Sequence, residues 1–145
     1  MALISYHSTF WAVGRKVFCD LCDREDDYER WFEHIVWSNI YKVTNNNVGN
    51  PCSWLRRAQR EYCWQLFEME VQELQPKYVL VVAGREWDAD VVGNLGIRSR
   101  AQANIRKARW KSTNFVFAEH PHGKRGGSDL FAKDILRGFH ALGRV

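Results

Sequence analysis

The residues best equipped for chemistry stand at the ends of apolar runs. Asn39, in Trp37-Ser38-Asn39-Ile40-Tyr41-Lys42, carries an amide donor and an amide acceptor on one side chain. His120, in Glu119-His120-Pro121-His122-Gly123, offers an imidazole N–H that can stabilise negative charge forming on a departing group. Gly123-Lys124-Arg125-Gly126-Gly127 joins two cations to a freely turning backbone, a combination that can grip phosphates. Each has a plainer reading. An asparagine can satisfy the end of a strand through local hydrogen bonds, a lone histidine can simply be solvated, and a glycine-rich stretch can be a turn before a helix. Trp87 and Trp110 have rings suited to stacking on bases, although tryptophans at such spacings more often fill cores.

Charge narrows the choice of partner. The net charge is +4, but seven acids crowd Asp20 to Glu33, whereas Val91 to Ala118 contains none and holds Arg98, Arg100, Arg106, Lys107, Arg109 and Lys111. An acid-free basic stretch suits a phosphate backbone and equally describes a solvated helix face. Cys19-x-x-Cys22 with Cys52 and Cys63 could suggest a four-cysteine metal or cluster site, but ten residues rather than two separate the second pair, and the expectation is four reduced thiols with no cofactor. No apolar run is long enough for a membrane span and the first residues lack the pattern of a signal peptide, so no membrane partner and a cytoplasmic location are expected.

The elements that would position these residues follow from periodicity. Ser8-Thr9 can cap a helix carrying Phe10, Val13, Val17, Phe18 and Leu21. His34 to Val43, rich in β-branched and aromatic residues, reads as a strand. A helix is predicted from Ser53 to Leu74, with Leu55, Ala58, Tyr62, Cys63, Leu66, Phe67, Met69 and Leu74 on one broad apolar face and Pro76 as its stop. Tyr78 to Ala83 is an unbroken apolar run of the kind found in parallel strands buried on both faces. A mostly helical region to about Trp110, a strand over Asn114–Ala118, and a last helix from Asp129 to Leu142 capped by Ser128 complete the pattern. Alternating strands and helices imply a single three-layer α/β/α domain with a short central parallel sheet. In such sheets ligands gather at the carboxyl ends of the strands, which is where Asn39 and His120 would lie.

Three segments in this order carry a resemblance. Trp37-Ser38-Asn39-Ile40-Tyr41-Lys42, then Leu74-Gln75-Pro76-Lys77-Tyr78-Val79-Leu80-Val81-Val82-Ala83-Gly84, then Glu119-His120-Pro121-His122-Gly123 are similar to the middle and end of the uracil-DNA glycosylase superfamily. There a strand ending in asparagine is followed by a helix, a "KPKVIVxxG"-like strand and a final "HPS" loop. The likeness covers residues 34 to 139. Two departures stand out: no motif of the superfamily's water-positioning first loop precedes Trp37, and His122 replaces the serine of "HPS".

The resemblance implies a DNA glycosylase without a metal, hydrolysing the N-glycosidic bond of a flipped-out uracil or modified pyrimidine, in repair or against modified phage DNA. In that frame Asn39 reads the base, His120 is the catalytic residue supporting the leaving base, and Ser38, His122, Lys124 and Arg125 contact DNA. The alternative, drawn from the missing first motif, is an inactive DNA- or base-binding module of the same fold. The superfamily's iron–sulfur branch is not implied, because Cys52, Cys19 and Cys22 do not align with its ligands.

Overall fold

The computed structural model describes residues 8–24, 29–45, 49–83, 91, 93, 96, 100–102, 105–121 and 127–143. They fall into two compact units, one formed by Met1–Ile35 with Lys77–Val145 and the other by Val36–Pro76.

The larger unit opens with helix α1, Thr9–Cys22. Ser8 caps it as its sequence predicts, its Oγ accepting from the Trp11 N–H at 3.3 Å. Asp23 adopts a left-handed conformation and its N–H bonds the Cys19 carbonyl, which closes the helix. A 3-10 turn, Trp31–His34, follows and buries Trp31 beside Gly14 of α1.

Four strands form one mixed sheet: β1 Tyr78–Val82, β2 Arg100–Gln102, β3 Ile105–Trp110 and β4 Thr113–Ala118, in the order β1-β4-β3-β2. β1 runs parallel to β4, pairing Tyr78 with Asn114 and Val82 with Ala118, while β3 is antiparallel to β4 and to β2. The expectation of a parallel sheet holds for β1 and β4 only. Of the predicted helical stretch up to Trp110, the described residues Val91 and Gly93 are helical, and β2 and β3 correct the part from Arg100 onward. Only two residues separate β3 from β4, Lys111 with φ 53° and Ser112, and a connection that short forces an antiparallel pair.

Helix α3, Gly127–His140, starts two residues before the predicted Asp129 and ends two before Leu142. Its Phe131, Ala132, Ile135, Leu136 and Phe139 form one core with Val13 and Val17 of α1 and with Ile105, Val116 and Ala118 of the sheet. Alternation along β4 sends Phe115 and Phe117 to the opposite face, where they are equally buried and stack at 6.0 Å. All six residues of β4 are buried, which marks it as the central strand of the unit. β1 is parallel as predicted but lies at the end of the strand order and is only partly buried.

The Val36–Pro76 unit is built on helix α2, Ser53–Leu74, with the predicted limits; Gln75 closes it in a left-handed conformation one residue before Pro76. Its buried residues are Cys63, Trp64, Phe67 and Val71, whereas Tyr62, Leu66, Met69 and Leu74 of the predicted apolar face are exposed. The predicted strand over 34–43 does not form. His34 ends the 3-10 turn, and residues 35–39 and 42–45 have no regular structure. The physical reason is visible at Val43, whose N–H and carbonyl bond the side-chain amide of Gln59 at 2.9 and 2.7 Å instead of a neighbouring strand.

Candidate functional site at the carboxyl end of the central strand

β4 delivers His120 to the end of the parallel pair. The ladder continues one step past β1, with the Ala83 N–H bonding the carbonyl of Ala118, the last residue of β4, at 3.0 Å, and His120 follows two residues later. Its ring is exposed and lies nearly parallel to Phe10 in the first turn of α1, centroids 5.9 Å apart and planes 19° from coplanar. Phe10 is itself held edge-on by Trp11 at 5.0 Å. Pro121 is buried immediately after, which fixes the chain on the far side. An imidazole held by an aromatic face on one side and presented to solvent on the other can donate a hydrogen bond to a bound group. The amino end of α1 alongside favours negative charge there. Phe10 was legible only as an apolar helix residue; its place under His120 needs the packing of α1.

Asn39, proposed from sequence as the base reader, is exposed and lies in the irregular segment of the Val36–Pro76 unit, while His120 belongs to the other unit. The strand that was to carry Asn39 is therefore corrected. Ser38 is engaged within its own unit. Its Oγ donates to Glu70 at 2.9 Å and accepts from the Lys42 ammonium at 2.5 Å, and Lys42 pairs with the other oxygen of Glu70 at 2.8 Å. This Ser38–Lys42–Glu70 cluster fastens the irregular segment to α2. Sequence reading missed it because residues 32 positions apart in chain order carry no periodic signal of their contact. His122, Lys124, Arg125 and Trp87 lie outside the described residues.

The basic stretch is partly consumed inside the fold. Arg106 lays its guanidinium over Phe117 at 5.9 Å. Arg109 donates from Nε to the Oδ1 of fully buried Asn114 at 3.0 Å and from Nη2 to the Leu142 carbonyl at 2.9 Å, where a cation also suits the end of α3. Lys111 stays exposed over the Trp110 ring at 4.5 Å. All four cysteines are free thiols, and among the described residues no three of His, Cys, Asp or Glu converge as a metal site. Nor is any described helix long and apolar enough to cross a membrane.

No family model, no curated protein and no solved structure matches the chain. It is assigned to no family. The likeness to uracil-DNA glycosylases rests on the three sequence motifs alone.

Proposed function

We propose that this protein is a DNA glycosylase that hydrolyses the N-glycosidic bond of a uracil or modified pyrimidine turned out of the strand, leaving an abasic site. The observation that carries the reading is the exposed His120 imidazole at the carboxyl end of β4, backed by Phe10. As the bond between the sugar C1′ and the base nitrogen breaks, electrons pass to the base, and a hydrogen bond from His120 would stabilise that charge until the base takes up a proton. Water supplies the oxygen that bonds C1′. The basic balance of the chain supports a polyanionic partner.

A second reading, a module that binds a base or DNA without hydrolysis, is favoured by Asn39, which lies on no strand. One experiment separates them. DNA carrying uracil or modified pyrimidines is incubated with the protein and then treated with alkali, which cleaves only at abasic sites. Cleavage by the wild type, with single-turnover release lowered on the order of 10²-fold in His120→Ala and DNA binding retained, is the expected result. Binding without cleavage supports the second reading, and absence of both overturns the two together.

A further inference from the structure

His120 stands two residues past the end of β4, so strand pairing does not aim its ring. An imidazole on an exposed backbone samples three χ1 wells and about two χ2 orientations, roughly six in all. Its N–H groups lie in the ring plane, and a hydrogen bond weakens steeply once the donor is turned away. A side chain that holds the ring in one orientation therefore contributes to any hydrogen bond His120 makes.

Phe10 is placed to do so. Its ring centroid lies 5.9 Å from that of His120 with the planes 19° apart, within the range of an offset stack. Phe10 is fixed in turn from two directions. The Ser8 cap takes the Trp11 N–H and so sets the first turn of α1, on which Phe10 sits. Trp11 meets Phe10 edge-on at 5.0 Å, and Trp31, only 2% exposed, packs against Trp11 at 5.9 Å. The rings form a continuous series from a buried tryptophan to the exposed imidazole, all within one compact unit.

We propose that Phe10 is a positioning residue for His120, holding the imidazole N–H in the direction that meets the departing base, with Trp11 and Trp31 as its support. The identity of that acceptor rests on the glycosylase reading; the ring series does not. Phe10 acts through His120 and on no reacting atom. Without it about one orientation in six stays productive, so base release should slow about 3–6-fold. That is well short of the loss expected when the imidazole itself is removed.

The test is single-turnover release from duplexes carrying a uracil or a hydroxymethylated pyrimidine, with proton NMR of the His120 ring alongside. Phe10→Leu should slow release about 3–6-fold with DNA binding unchanged. The same substitution should have no further effect in a His120→Ala background, because residues that act as a unit are not additive. Phe10→Tyr keeps the aromatic face and should release at the wild-type rate. The ring-current shift of the carbon-bound His120 protons should vanish in Phe10→Leu and persist in Phe10→Tyr. An equal loss in both backgrounds, a Phe10→Leu rate matching the wild type, or no ring-current shift in the wild type would overturn the positioning role and leave the glycosylase reading standing. No release by the wild type from either duplex would overturn that reading instead, and the ring-current comparison then decides whether Phe10 holds the ring.

Discussion

At the scale of single residues, the side chains with the strongest polar commitments are structural as often as they are candidates for chemistry. Asn114 is fully buried, accepts from Arg109 and donates from Nδ2 to the Gly143 carbonyl at 3.4 Å, tying β4 to the end of α3. Asn114→Ala deletes both bonds at a fully buried position and should cost about 1–3 kcal/mol, read as a lower denaturation midpoint. Cys22 shows a different constraint. Partial burial pushes its thiol pKa up, against the pull of Arg24, with Asp23 adding to the rise and Lys77 opposing it. The folded state thus holds this proton more tightly than the unfolded one. The associated stability is complete below the ordinary thiol pKa of about 8.5 and drains away as pH rises through the raised value. Stability measured against pH should fall less steeply in that alkaline window for Cys22→Ser than for the wild type.

At the scale of elements, close approach decides which substitutions matter. A Cβ on Gly138 of α3 would stand 2.7 Å from Ile105 Cδ1 and 3.2 Å from Val116 Cγ2, so the tip of the buried Ile105 side chain would have to shift to admit it. Gly138→Ala should destabilise by about 1–3 kcal/mol through overpacking. Gly14 of α1 is the control: its added Cβ would meet Trp31 no closer than 3.7 Å, so Gly14→Ala should be neutral or stabilise by up to about 1 kcal/mol through helix propensity. Thermal denaturation of the pair checks both signs. The elements legible in sequence were those set by local pattern: α1 with its Ser8 cap, α2 up to Pro76, the apolar runs of β1 and β4, and α3 with Phe131, Ile135 and Phe139 on one face. What failed depended on distant partners. Residues 34–43 have strand composition, yet Gln59 takes the backbone bonds of Val43. β3 reads as a basic helix because its basic residues, Arg106, Lys107 and Arg109, are as numerous as its apolar ones, Ile105, Ala108 and Trp110. In the fold their long stems lie across Phe117 and reach the end of α3.

At the scale of the whole molecule, the proposed DNA partner would have to be met by a modest net charge of +4. His120 at a strand end was legible from the run that precedes it, whereas the strand meant to carry Asn39 is absent among the described residues. The cations of the basic stretch also divide in a way composition hides. Arg109 is bound to Asn114 and Leu142, whereas Lys111 is exposed, and Lys124 and Arg125 sit in the sequence between His120 and α3. Each phosphate neutralised releases condensed counterions, so the slope of log affinity against log salt counts the contacts made. If Lys124 and Arg125 grip the backbone beside His120, removing both in Lys124→Ala/Arg125→Ala should reduce that slope by about 1 per lost contact, and by a similar amount on every DNA sequence. Arg109→Ala should behave oppositely, lowering the denaturation midpoint while leaving the slope as it was, because its charge is spent on Asn114 and on the carboxyl end of α3. Salt titrations of DNA binding for the three proteins separate the two roles. An unchanged slope in the double variant would mean that the glycine-rich segment makes no phosphate contact, and a reduced slope in Arg109→Ala would return that arginine to the interface.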